Sequence, residues 1–181
     1  MVNQQPSRRG VEASLAPFAI RPQQADDIEA VVAFSLRAWQ PVFESMGRVL
    51  GPRLNPLVYP DWAAGQARAV EEVCRDEGLK VWVAEIEAQP VGFVAVAFHG
   101  DPRSAEIDMI AVDPDHQCRG VGSALLAFAL DRISAAGVHL AHIATGGDPG
   151  HAAARHTYEK AGFTALPLVR YYKELHPVHT D

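Results

Sequence analysis

The chain has 181 residues, 48% of them hydrophobic and 21% charged, with a formal net charge of -6; this is the make-up of one globular domain and excludes a disordered or fibrous chain. The acidic balance argues against a general role on nucleic acid or an anionic membrane, both of which draw on clustered Lys and Arg. The longest apolar run, Val91 to Phe98, falls far short of the ~20 residues that cross a bilayer.

Taken in chain order, residues 1–17 read as a flexible leader, because Glu12 and Pro17 interrupt any apolar core of a signal peptide. Two cysteines, Cys74 and Cys118, make no disulfide framework. The expected compartment is the cytoplasm, and the expected assembly is a monomer or homodimer. The domain is expected over 18–175, with a polar tail at 176–181. "AIRPQQADDIEAVVAFSLRAW", Ala19 to Trp39, predicts a short strand, a turn at Pro22 and a helix opened by Asp26 and Asp27, with Ile28, Val31, Val32 and Leu36 at helical spacing. From Gln40 to Tyr59 the punctuation by Pro41, Gly47, Gly51, Pro52 and Pro56 leaves a long loop or a broken helix. A second helix follows, capped by Asp61 and stopped at Gly78.

"KVWVAEIEA" and "PVGFVAVAFHG" predict a hairpin parted at Gln89 and Pro90, and "AEIDMIAV" a further strand. "GVGSALLAFALDRISAAG" carries Leu125, Leu126, Ala129 and Ile133 on one helical face and stops at Gly137. "VHLAHIAT" reads as a buried strand, "GGDPGHAAARHTYEKAGF" as a glycine loop and helix, and "LPLVRYYKEL" as a closing strand. Together these elements define a single α/β (α+β) domain with a mixed, twisted sheet.

The joint between "AEIDMIAV" and the next helix carries the chemistry. A strand running through a glycine loop into a helix presents backbone N–H groups and the positive helix end to an anion. Gly120 and Gly122 let the main chain approach a ligand, and Arg119 adds charge at the rim. The spacing is not the dinucleotide fingerprint, since Ser123, Ala124 and Leu125 stand where a third glycine belongs, which disfavours a nucleotide-binding oxidoreductase.

"IAVDP", "HQCRGVG", "HLAHIATGG" and "ARHTYEKAGF", in that order, resemble the GNAT superfamily of N-acetyltransferases, strongly from Ile107 to Phe163 and by element order before it. The resemblance implies a sheet of about six to seven strands flanked by helices on both faces. It implies that the loop Gln117, Cys118, Arg119, Gly120, Val121, Gly122 and Ser123 wraps the pyrophosphate of acetyl-CoA, and that the main chain of Ile110, Ala111 and Val112 pairs with the pantetheine arm. Cys118 holds a variable position of that loop. Tyr158 takes the place of a general acid near the sulfur. His151 stands seven residues before it, where the family commonly has a cofactor-contacting Asn.

Acetyl transfer to an amine needs a proton acceptor, since an alkyl ammonium with a pKa near ~10.4 is protonated at pH 7. Glu106 and Asp108 alternate along one strand and share a face, so either one, or a water relay, can serve, against a plain reading as solvated carboxylates. In such folds the acceptor lies over the first two helices, which here hold Trp39, Phe43, Tyr59 and Trp62 with Glu44 and Asp61. Aromatic walls with a few carboxylates suit a cationic or aromatic amine, and packing of the helices is the competing role. No metal is expected: His139 and His142 lie three apart in a strand and point to opposite sides, and His176 and His179 sit in the polar tail. The expected function is acetyl-CoA-dependent N-acetylation of a primary amine on a small molecule or peptide, by direct attack. A non-catalytic acyl-CoA-binding sensor module is the alternative.

Overall fold

The computed structural model describes residues 18–100 and 103–175. The expected leader over 1–17 and tail over 176–181 lie outside the described residues. The elements run β1 (Ala19–Pro22), α1 (Ile28–Val58), α2 (Trp62–Arg75), β2 (Leu79–Ile86), β3 (Gln89–Phe98), β4 (Ser104–Val112), α3 (Val121–Ala135), β5 (Leu140–Ile143) and α4 (Ala152–Lys160). Sheet order is β1-β2-β3-β4-β5, antiparallel throughout except for the parallel β4–β5 pair, whose connection is α3.

Helices cover both faces. On one face Leu125, Leu126, Ala129 and Ile133 of α3 pack against Val94, Val96, Ala105 and Ile107. On the other, Ile28, Val31 and Phe34 of α1 and Val70 and Cys74 of α2 pack against Val83, Phe93, Ala95 and Ala111. Val31, Val70, Phe93, Ile107 and Leu125 are fully buried. The α3 stripe is the one its helical spacing predicts.

Between Gln40 and Tyr59 the chain is helical and broken once, at Gly51 (φ 72°, ψ 175°). That left-handed φ favours glycine, and Pro52 then opens the next segment at a position where a missing N–H costs nothing. Pro41 lies within the first segment, with helix on either side of it. The hairpin turn falls at Glu87 and Ala88, both with positive φ, so Gln89 and Pro90 begin β3 rather than part the strands. Pro90 pairs with Glu85 beside a register shift at Ala84/Glu85, a position where the absent donor is tolerated.

Two expectations fail at the far edge. The described residues form five strands, not six to seven, and "LPLVRYYKEL" forms none: Leu166, Leu168, Val169, Tyr171 and Leu175 are exposed. β5 is only four residues long and half-exposed rather than buried, so it offers a short edge, and Pro167 removes a donor from the run that would join it. The segment is tied instead to the end of α1, where Arg53 pairs with Glu174 at 2.6 Å.

One ion-pair network fastens the start of the domain. Arg21 on β1 donates to Asp27 at 2.7 and 2.8 Å and to Glu85 of β2 at 2.6 Å. Asp27 also accepts from the Gln24 N–H at 2.7 Å, ahead of α1. The hydrogen bonds from Arg21, reinforced by the one from Gln24, hold the buried Asp27 carboxyl below its ordinary range despite desolvation. Arg21→Met should therefore strand a buried carboxylate and lower unfolding free energy by about 2–3 kcal/mol in urea titrations at pH 7. Because the folded value is depressed, this contribution is complete above the unfolded value near ~3.9. It fades as pH falls through the lower folded one. The gap between wild type and variant should close in acid.

Candidate active site

The sheet opens at its centre. β4 and β5 pair only from Ser104↔Leu140 to Ile107↔Ile143, and β4 runs on to Val112 with no described strand on that side. A register shift between Ala95 and Val96 accompanies the opening: Val96 faces Ile107 and Ala95 faces Met109, leaving Asp108 unpaired in a bulge. The bulge reverses the alternation, so Ala105 and Ile107 enter the α3-side core while Met109 and Ala111 face α1 and α2. Bulges re-aim side chains in this way next to active sites.

Beyond Val112 the chain turns back to α3. Gln117 Nε2 donates to the Val112 carbonyl at 3.1 Å, so this side chain pins the loop rather than reaching outward. Cys118 (φ 58°) and Gly120 (φ 81°) both adopt the left-handed region, and Cys118 is exposed. No side chain caps α3 at Gly120. The first N–H groups of α3, from Val121, Gly122 and Ser123, therefore remain available to an anion.

Three side chains without an expected role, Arg37, Asp113 and Asp115, brace this loop. Arg37 of α1 reaches Asp113 at 2.7 Å and Asp115 at 2.8 Å, and the nearly buried Asp113 also accepts from the Asp115 N–H at 3.0 Å. An arginine 76 residues from its partner leaves no local pattern to find.

The glycines divide in role. A Cβ on Gly120 would meet no protein atom within 4 Å, yet its φ makes any side chain strained; on Gly122 a Cβ would stand 3.4 Å from Val112 Cγ2, ordinary contact. Gly120→Val therefore mixes backbone strain with blocked approach, and Gly122→Ala separates them. Gly122→Ala should keep its melting temperature and lose at least about tenfold in acetyl-CoA affinity by calorimetry, ~1.4 kcal/mol. Unchanged affinity would remove the main chain at Gly122 from the cofactor site.

Glu106 lies close enough to Asp108 for its charge to act on the Asp108 carboxyl. Glu106 is half-buried; Asp108 is exposed at its surface but has a partly desolvated carboxyl. Desolvation, then the charges of Glu106 and Asp76, raise the Asp108 pKa. Tyr158 packs against the α3-side core with its ring 6.2 Å from Phe163, and burial pushes its phenol up to about 12.

His151 sits at the start of α4 with Nδ1 bonded to Asp148. Its other ring nitrogen is the one left for a ligand. Asp148 also accepts from the Gly150 N–H at 2.9 Å, and Arg155 donates to the carbonyls of Gly146 and Asp148 at 2.5 and 2.8 Å. Desolvation works to raise the Asp148 pKa, but hydrogen bonds from Ser45, His151 and Gly150 outweigh it and hold the carboxyl low. The turn lies against α1: Gly150 N–H donates to Ser45 Oγ at 2.9 Å, and a Cβ on Gly150 would fall 2.7 Å from that of Ser45.

Three of the four predicted aromatics come together. Phe43 stacks on Trp62 (4.7 Å, 20°) and meets Tyr59 edge-on (5.2 Å, 86°). They line a cleft of about 500 Å³ with Glu44, Arg48 and Asn55. Trp39 is separate, its ring edge-on to Phe93 at 6.5 Å beside the core.

The described residues thus form a five-stranded mixed sheet whose parallel pair parts beside an uncapped helix N-terminus. Residues 41–163, more than half of the chain, match the model of the acetyltransferase (GNAT) family, and the chain belongs to that family. It is 34% identical over 108 residues to the uncharacterized N-acetyltransferase YafP of Escherichia coli K12, covering 59% of this chain and 61% of that protein. It is 31% identical over 156 residues to a mycothiol acetyltransferase of Sanguibacter keddieii, covering 79% of this chain and 47% of the relative. The chain thus spans less than two thirds of the length of either relative. A solved Desulfovibrio desulfuricans structure assigned to the GNAT family superposes with a TM-score of 0.62 at 25% identity, over 83% of this chain and 87% of the other. No described helix is long and apolar enough to cross a membrane.

Proposed function

We propose that the chain transfers the acetyl group of acetyl-CoA to a primary amine of a small molecule or peptide by direct attack. The observation that carries this reading is the partly desolvated carboxyl of Asp108, standing in the bulge where β4 parts from β5. Acetyl-CoA supplies an activated carbonyl; the chain supplies its holder, a proton acceptor and a proton donor. The N–H groups at the start of α3, in a loop set by Gln117 and Arg37, take the pyrophosphate. The edge of β4 at Ile110, Ala111 and Val112, which lacks a described strand beside it and whose Val112 carbonyl also holds Gln117, pairs with the pantetheine amides as an added strand.

The acceptor enters over α1 and α2, where the ring walls of Phe43, Tyr59 and Trp62 beside Glu44 suit a cationic head on an apolar body. Asp108, or Glu106 behind it, takes the ammonium proton. The freed nitrogen lone pair attacks the thioester carbonyl carbon, the C–S bond breaks, the Tyr158 phenol donates to the departing sulfur, and the second proton on the nitrogen leaves through water to restore the phenol and give the neutral amide. A buried phenol that stays protonated across the physiological range suits a donor and does not suit a base.

The test is thiol release from acetyl-CoA across a panel of primary amines, amino sugars and peptides. Turnover with a primary amine and none with alcohols supports the reading. Tight acetyl-CoA binding with no thiol release from any acceptor replaces it with the sensor module.

A further inference from the structure

One row of side chains on the α1/α2 face is left unused by the transfer reaction apart from Glu106. In the β3–β4 register Ala97 faces Glu106, and His99 continues the same alternation two residues further on. Across the parallel pair Glu106 faces His142. β4, β5 and the residue that follows β3 thereby set two imidazoles on either side of one carboxylate. His99 Nε2 lies 3.8 Å from Glu106 Oε2. The two rings are nearly parallel, with centroids 6.2 Å apart and 13° between planes. One donor atom from each of the three residues lies within 4.8 Å of the other two.

The geometry points to a binding site for a divalent transition-metal ion of the zinc class, held by His99, Glu106 and His142. Two imidazole nitrogens and one carboxylate oxygen match the ligands that zinc and cobalt take, whereas magnesium and calcium require oxygen throughout. Donors around a tetrahedral ion at ~2.0–2.1 Å stand about 3.4 Å apart. The observed spacing is wider by a side-chain rotation. Both histidines are exposed and Glu106 is half-buried, so that rotation takes place at the protein surface. A fourth position stays open to solvent.

The site was not legible from histidine spacing, because His139 lies ahead of β5 and the partners of His142 come from the end of β3 and from β4. A bound ion would join β5, held to the sheet by four register pairs, to both of its neighbours. It would also occupy the Glu106 carboxylate two residues from Asp108.

The test uses the full chain. Zn²⁺ titration calorimetry is expected to show one saturable site, and His99→Ala and His142→Ala, each removing a direct ligand, should weaken it by no less than the about 10–100-fold that loss of an outer-shell partner costs. Both substitutions are on exposed side chains, and thermal unfolding without metal checks that each variant folds. Zn²⁺ should raise the melting temperature of the wild type and of neither variant. Co²⁺ should give the visible absorption of a tetrahedral site in the wild type alone. Zn²⁺ binding by His142→Asn or His99→Ala at wild-type affinity would overturn the assignment, as would a wild type that binds Zn²⁺ no more tightly than Mg²⁺.

Discussion

Asp108→Asn is expected to lower kcat/KM for amine acetylation by about 10²–10⁴-fold, the usual worth of a positioned base, with acetyl-CoA affinity unchanged. The substitution keeps the shape of the side chain and removes only its capacity to accept the ammonium proton. Stability should hold or rise slightly. Desolvation and the neighbouring Glu106 charge raise the Asp108 pKa, so in the folded state its ionised form is disfavoured. An acid whose folded value lies above its unfolded one costs stability once pH exceeds the unfolded value, and the amide removes that cost.

The pH profile supplies the sharper readout. The base form is lost as pH falls through the raised value, which should set an acidic limb on kcat/KM. Glu106→Gln deletes one of the charges that raise Asp108, so that limb should move to lower pH while most of the rate survives. If Glu106→Gln abolishes turnover and Asp108→Asn does not, the two carboxylates exchange roles. Full activity in both variants leaves proton removal to water.

The second large effect belongs to Tyr158. Phe at this position preserves the ring that packs beside Phe163 and deletes the hydroxyl. Turnover should fall by up to about 10²–10⁴-fold where sulfur departure limits the rate, with little change in acetyl-CoA affinity. A free phenol predicts an alkaline limb near ~10, but burial pushes this one to about 12. Wild type should therefore show no loss assignable to Tyr158 across the ordinary assay range, and the comparison rests on turnover against affinity. Wild-type turnover in Tyr158→Phe would make the residue a packing group.

Much of the fold was legible because its signals are local. The period of Leu125, Leu126, Ala129 and Ile133 on α3, the alternation through β2 to β4, and the glycine at the left-handed Gly120 are each set within a few residues. So was the joint between β4 and α3, since a loop that must turn left-handed and stay open can be written in few residue types. That Phe43, Tyr59 and Trp62 touch one another follows from their nearness in sequence, since α1, its end and the start of α2 carry them.

What the sequence could not carry is the register between strands and the contacts that close over long separations. The shift at Ala95/Val96 puts Asp108 in a bulge, and nothing in "AEIDMIAV" marks where that shift falls. Arg37 on Asp113, Asp148 on His151 beside Ser45, Trp39 on Phe93, and the His99, Glu106 and His142 row all depend on which strands and helices become neighbours. The missing closing strand has the same origin: "LPLVRYYKEL" has the apolar content of a strand, but pairing needs an edge to accept it. Local chain chemistry determined the elements and the glycine joint. Only tertiary packing, which trades one register and one set of neighbours against all others, decided which side chains face the opening.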